Sequence, residues 1–467
     1  MANKEYPVTE AVPAEDRHFG FVDMALTWMG ANCQTGSWAV GGTLAGLGFM
    51  GAFGVIVIGN PIAYAILALV GLISYKVGTS TMGLTRVSFG IRGTKMPTVC
   101  NNFNTLGWTA MNNFFASITI SYILAGVLGT PAYGQPGSEV VLALGAAFNA
   151  IVSVLIVLWA GGKSVKLAER FMMIVLIFFT TWITITVFKT TTLAQITSWR
   201  PDPAHAVPLG NGVDAMLAFS ISWATVVGDF TRYAKNKSSA TIAPMVGANL
   251  AIYWFALVGV IGVISVAVNT GVFDPNFADP SSIAVSLGLG WVALIVVLLA
   301  TITTNMVNYY VLAYNVMNLT TKMSFKKATL MEGIFSIALA WLPIFAGSFL
   351  AVFTGFLGVL GAIFPPLLAI ILVDYYIIRK GKYCIEHLDN KTGPYWYKNG
   401  INGVAIVSWI ISVAIFLLLK GNGFGLNSVG SVFPGFLIAG LVYYILTKVA
   451  LAPSDRENLS GIEKSAD

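Results

Sequence analysis

Two stretches carry side chains that could do chemistry at helical spacing. In "CNNFNTLGWTAMNNFF", residues 100–115, Asn101, Asn104 or Thr105, Trp108 and Asn112 recur at steps of three or four and share one face. In "LLATITTNMVNYYVLAYN", residues 298–315, Thr301, Thr304, Asn305 and Asn308 do the same, with Thr303 alongside. A flat indole flanked by amides suits a planar heterocycle: the ring face supplies stacking area and the amides read donors and acceptors around the edge. Adjacent hydroxyls, joined by free backbone carbonyls, make an uncharged all-oxygen shell that suits a hard monovalent cation such as sodium. Hydrogen bonding between helices is the competing use for any single Asn or Thr.

Two further stretches interrupt otherwise apolar runs. "WMGANCQTGSWAVGG", residues 28–42, places Gly, Asn, Gln, Thr and Ser in the middle of the first long run. "AFSISWATVVGDFTRY", residues 218–233, contains Ser220, Ser222, Thr225, Gly228 and Asp229. Small residues also let helices pack closely, which is the plainer reading of either patch alone. Two patches at corresponding places favour unwound helices that face a ligand or ion, because irregular backbone at membrane depth is tolerated only against a cavity or buried protein.

The elements that must hold these residues are membrane helices. The chain has 467 residues, 56% hydrophobic and 10% charged, and its mean hydropathy is +0.78. Soluble domains carry about 25% charged residues. Twelve apolar runs are long enough to cross about 30 Å of hydrocarbon, at approximately 21–48, 51–76, 97–127, 139–161, 167–189, 210–234, 243–269, 287–319, 327–346, 348–378, 400–419 and 430–450. The short gap between runs nine and ten makes that division the weakest. With both termini in the cytoplasm, every Lys and Arg except Lys189, Arg200 and Lys420 falls on the inner side, as the positive-inside rule requires. The +6 net charge is therefore a topology signal and implies no nucleic-acid partner. The expected fold is all-α and polytopic. A cytoplasmic tail over 1–20, without a signal-peptide core, leads to five spans over 21–190. An inverted set of five over 210–380, two helices over 400–450 and a second cytoplasmic tail over 451–467 follow.

Other function classes find little support. Cys33, Cys100 and Cys384 have no metal-like or paired spacing. His18, His205 and His387 lie outside the spans, and no nucleophile elbow or phosphate loop is present. An enzyme and an ATP-driven pump are both disfavoured, and no cofactor is expected beyond a coupling ion. A channel would need no pair of broken helices.

Four stretches together resemble the nucleobase:cation symporter family 1, which includes the bacterial cytosine permeases and the hydantoin transporter. They are "TRVSFGIRG" at 85–93, "ATVVGDFTRYAKN" at 224–236, "TITTN" at 301–305, and "PPLLAIILVDYYIIRK" at 365–380 with "GPYWYKNGIN" at 393–402. The resemblance runs from the first span to the twelfth. It implies a five-plus-five inverted-repeat (LeuT-like) fold with two added helices, working by alternating access. A bundle of spans one, two, six and seven would rock against a scaffold of spans three, four, eight and nine. By position, the sodium shell would use backbone oxygens near Gly30, Cys33 and Ala300 and the hydroxyls of Thr303 and Thr304. The substrate would stack on Trp108, with Gln34, Asn112 and Asn308 or Tyr309 facing it.

The chain departs from its relatives at two places. The second stacking aromatic of span six aligns with Ser220, so Phe219 or Trp223 would have to supply it. Cytosine carriers have a Gln three residues before the Trp, where Thr105 stands here, which argues against cytosine itself. Purines, allantoin, hydantoins and hydroxymethylpyrimidine stay open. Asp229 is either a proton carrier or, with Arg232, half of a pair closing an inner gate, and the family context favours the gate. The resulting reading is a sodium symporter for a planar heterocycle in a bacterial inner membrane. Proton coupling and an amino-acid symporter of the same fold are the alternatives.

Overall fold

A computed structural model describes residues 6–7, 9–319, 323–422 and 428–450. The tail over 451–467, and with it Arg456 and Lys464, lies outside the described residues, as do Lys4 and Lys322. The helices used below are α1 (Phe21–Asn32), α2 (Thr35–Thr43), α3 (Asn60–Val77), α4 (Thr81–Phe89), α5 (Lys95–Leu128), α6 (Glu139–Thr190), α7 (Leu209–Ser222) and α8 (Val227–Thr231). They continue with α9 (Ile242–Thr270), α10 (Pro280–Ser286), α11 (Gly290–Leu319), α12 (Phe325–Ala346), α13 (Phe349–Leu372), α14 (Gly403–Asn422) and α15 (Val432–Ala450).

Eleven helical stretches among the described residues are long and apolar enough to cross a membrane. One of them, Thr35–Val77, spans 43 residues and is too long for a single crossing at about 1.5 Å per residue. It divides at Gly48, whose φ of +70° is open to glycine at no steric cost. The C-terminal half of span one therefore finishes before Gly48 and span two follows it, which gives twelve crossings.

One division differs from expectation in an instructive way. Spans four and five form one helical element, α6, with no coil over 162–166. The element still doubles back. Asn149 in its first half donates to Asn113 of α5, and Thr191 just past its end bonds Ser265 near the end of α9. Tyr133, just beyond α5, bonds the carbonyl of Asn276, just beyond α9. Both ends of α6 thus sit at one end of the molecule. Spans nine and ten, by contrast, are cleanly separated by two residues. Gly347 takes the left-handed conformation at φ +68°, and Ser348 caps α13 by accepting the Ala351 N–H at 3.1 Å.

The helices pack in two groups. In one, α1 and α2 lie along α9, with α3 against α7, α8 and α9. In the other, α5, α6, α11 and α12 pack on one another. Large apolar side chains face outward around the molecule, including Trp159, Leu167, Phe178, Ile334 and Phe345. That is the pattern of a chain solvated by lipid.

The stretches that carry the family resemblance mostly act as anchors at the end where Arg86, Arg92 and Arg379 lie. Asp374 is buried and accepts from Arg379 Nε at 3.0 Å, Tyr383 at 2.6 Å and Tyr443 at 2.8 Å. Arg379 reaches Tyr397 at 2.6 Å, and Tyr397 donates to the Val87 carbonyl of α4 at 2.7 Å. Asn402 donates to the Ser88 carbonyl, and Arg86 pairs with Asp389 at 3.1 Å. Span ten, span twelve, α4 and the loop after span ten are locked together here.

Candidate functional site

The first patch breaks the helix within two residues. Helix α1 ends at Asn32, Cys33 leaves helical geometry (φ −79°, ψ 71°), Gln34 is extended (φ −147°, ψ 163°), and α2 begins at Thr35. The break is narrower than the whole Gly30–Gly36 stretch, since Gly30 stays inside α1. The second patch breaks as well. Helix α7 stops at Ser222, a tight turn covers Trp223–Thr225, and α8 starts at Val227.

At the first break, the missing side chain of Gly36 marks a meeting point. A Cβ there would lie 3.3 Å from Trp108 Cζ3 and 3.8 Å from both Gln34 Oε1 and Phe219 Cε2. Trp108 meets Phe219 edge to face, with centroids 5.3 Å apart at 88°. Phe356 and Phe353 of α13 surround the same indole at 5.1 and 6.2 Å. Gly107 makes room for this, because a Cβ there would lie 2.5 Å from the Phe356 ring. Asn112 is one turn farther along α5. Its Oδ1 accepts from Thr35 Oγ1 at 3.2 Å, and its buried Nδ2 has no hydrogen-bond partner. Gln34, Trp108, Asn112 and Phe219 are uncharged, so the setting is aromatic and amide-lined with no fixed charge of its own. Thr105 is on the same helix, with its hydroxyl returned to the Asn101 carbonyl at 3.2 Å.

Other candidate residues are placed elsewhere. Ser220 is buried and donates to Asn60 Oδ1, tying α7 to α3. Trp223 packs edge to face on Trp28, centroids 6.1 Å apart, so the span-six aromatic beside Trp108 is Phe219. Tyr309 is fully buried and turned into the scaffold, where its hydroxyl meets Ser336 at 2.6 Å and Asn113 at 3.3 Å. Asn305 joins that network through Asn113 at 2.7 Å, as does Asn149 at 2.8 Å. Hydrogen bonding between helices is what Asn305 and Tyr309 do in this structure. Asn308 is half-buried on α11.

The hydroxyls of the cation candidate lie half-buried on α11. Thr303 donates to the carbonyls of Leu299 and Ala300, each at 3.0 Å, with Thr304 beside it. The Gly30 carbonyl accepts the Cys33 N–H at 3.1 Å. Helix α1 rests chiefly on α9, and α2 reaches α11.

Asp229 and Arg232 do not form the expected pair. Asp229 is exposed and outside ion-pair distance of Arg232. Arg232 instead donates to the Tyr6 carbonyl at 3.1 Å and lies over the Tyr233 ring at 4.8 Å. The N-terminal segment packs at this place, where Phe19 forms a two-bond bridge with Tyr233 and Lys235.

Phe353 and Phe356 were not anticipated. Their signal is a pair of aromatics three residues apart in span ten, which periodicity alone does not distinguish from lipid-facing packing.

Two helices broken at depth, in a helical membrane chain of twelve crossings, define an inverted-repeat transporter fold. Solved structures agree on that fold. The inward-facing conformation of Mhp1 superposes with a TM-score of 0.78 at 18% identity, covering 98% of both chains. The closed conformation of Mhp1, a nucleobase-cation-symport-1 family transporter with bromovinylhydantoin bound, gives 0.73 at 18% identity over 98% of this chain and 99% of that one. The family described as "Permease for cytosine/purines, uracil, thiamine, allantoin" matches residues 11–443, so the chain belongs to it. Among its relatives are an Arabidopsis thaliana purine-uracil permease, 26% identical over 92% of this chain and 75% of that protein, and a Bacillus subtilis allantoin permease, 26% identical over 93% and 91%. The Escherichia coli cytosine permease is 25% identical over 86% of this chain and 85% of its own length. The chain is a membrane transporter, not an enzyme.

Proposed function

We propose that this protein imports a purine-, uracil- or allantoin-like planar heterocycle by sodium symport across a bacterial inner membrane, with both termini cytoplasmic. The observation that carries this reading is the convergence of Trp108, Phe219 and Gln34 on Gly36 at the break of span one. A planar ring fits such a place. It stacks on the Trp108 indole, is bounded by Phe219 and presents its edge to the Gln34 and Asn112 amides. The unpartnered Asn112 Nδ2 is a donor for a ring carbonyl or ring nitrogen. Phe219 fills the stacking role beside Trp108 in preference to Ser220 or Trp223.

Residues 21–190 and 210–380 form the two inverted repeats, so the two breaks occupy equivalent places in each. Sodium takes the carbonyl oxygens near Gly30, Cys33 and Ala300 and the hydroxyls of Thr303 and Thr304. Bound there, it ties the inner half of span one to the scaffold and orders the substrate pocket. By linkage the base must raise sodium affinity by the same factor.

The test is a melting-temperature panel on purified protein. Cytosine, uracil, adenine, guanine, hypoxanthine, allantoin, a hydantoin and hydroxymethylpyrimidine are each run in sodium and in choline. A ligand stabilises the native state according to its occupancy. One planar compound should raise the melting temperature, and sodium should enlarge the shift. A shift from an amino acid alone would refute the substrate class. A base shift insensitive to sodium but dependent on pH would replace sodium with a proton.

A further inference from the structure

A second oxygen-lined site lies at the other end of the molecule, where α10 covers the ends of α5 and α11. Asp279 caps α10. Its Oδ1 accepts the N–H groups of Ser281 and Ser282 at 2.9 and 3.1 Å. Its Oδ2 accepts nothing, although Asp279 is 0% exposed. The Ser282 hydroxyl lies beside the carboxylate and is 3.1 Å from the Tyr122 hydroxyl of α5. The Ser281 hydroxyl meets Thr119 of α5 at 2.6 Å. The titratable groups that face the carboxylate are Tyr122 and Tyr133, with Asp274 behind Tyr133. None of these is basic.

A buried carboxylate without a counter-charge is costly, and an unpaired oxygen on it adds to that cost. Among the described residues, none forms an ion pair with the carboxylate or donates a hydrogen bond to Oδ2. Hard monovalent cations are held by carboxylate and hydroxyl oxygens of the kind gathered here.

We propose that Asp279 Oδ2, with the hydroxyls of Ser282 and Tyr122, binds a monovalent alkali cation, sodium in the first instance. One carboxylate balances one positive charge, which disfavours a divalent ion. The ion joins α10 to α5, and so pins to the scaffold the segment that also packs against span one, where Ala278 fills the space a side chain at Gly42 would need. This site is separate from the Thr303 and Thr304 hydroxyls and does not depend on their role.

The experiment measures radioactive sodium binding and melting temperature on the purified full chain without substrate, with choline holding ionic strength constant and potassium as a parallel arm. Asp279→Asn keeps a capping oxygen and removes only the charge. It should weaken sodium binding at this site by about tenfold or more and lose the matching part of the sodium-dependent melting shift. Thr304→Ala should retain that part. Asp279→Asn binding and responding to sodium as the parent does would overturn the proposal, as would equal stabilisation by choline. If Asp279→Asn does not fold, Ser282→Ala decides: weaker sodium binding supports the site, and unchanged binding removes it.

Discussion

Trp108 is where residue-scale chemistry concentrates. Its indole is edged by three phenylalanines from two other helices, and it meets span one at Gly36, where a Cβ would lie 3.3 Å from Cζ3. Base–aromatic stacking is worth about 1–3 kcal/mol. Trp108→Ala should therefore weaken binding of the transported base by roughly tenfold to a hundredfold, while Trp108→Phe should lose less. Titration calorimetry on the base chosen by the melting panel would decide, and unchanged affinity in Trp108→Ala would remove the stacking role. The same scale separates the three span-six candidates. Phe219, Ser220 and Trp223 lie within five residues at the end of α7, and with Ser220 on Asn60 and Trp223 on Trp28 it is Phe219 that meets Trp108.

At the scale of elements, the glycines of span one do two jobs. Gly36 sits where Trp108, Gln34 and Phe219 meet, whereas Gly41 brings α2 onto α9 at backbone distance. A Cβ at Gly41 would lie 2.1 Å from the Ala256 carbonyl, and one at Gly259 would lie 2.3 Å from the Trp38 carbonyl. The small-residue packing reading of that stretch is realised at Gly41, one turn beyond the Gly36 contact on which the proposed binding site rests. Overpacking typically costs about 1–3 kcal/mol, and here the obstacle is backbone. Gly41→Val should lower the melting temperature and abolish uptake, and a variant that melts and transports like the parent would disprove the tight seam. The buried Asp374–Arg379 pair is a different kind of joint. Removing one partner from such a pair costs about 3–5 kcal/mol, so Arg379→Met should unfold far more readily than Arg86→Met, whose partner Asp389 is exposed. Chemical denaturation in detergent would compare them.

For the whole molecule, the proposed alternating access would move spans one, two, six and seven against spans three, four, eight and nine. Arg232 is held by the N-terminal strap while Asp229 stands exposed. If the two meet when the inner side closes, Asp229→Asn should slow uptake while leaving base affinity near that of the parent. Equal uptake by parent and variant would show that the pair closes nothing.

Length, composition and charge asymmetry determined the membrane class and the span count, because hydrophobic thickness and loop charge act locally along the chain. They also located both broken helices, since polar residues at depth need a reason nearby in sequence. The division between runs nine and ten, the weakest by gap length, is made by Gly347 and Ser348, where capping is decided within a few residues. Which polar face lines a pocket and which ties helices together was decided only by tertiary structure. Asn112 and Asn113 are neighbours in sequence, yet one reaches toward the break at Thr35 and the other holds Asn149, Asn305 and Ser336 together. The aromatic wall from span ten, the displaced Arg232 and the unpartnered oxygen of Asp279 share that origin. Each depends on how helices far apart in sequence are rotated against one another, and no local spacing encodes that angle.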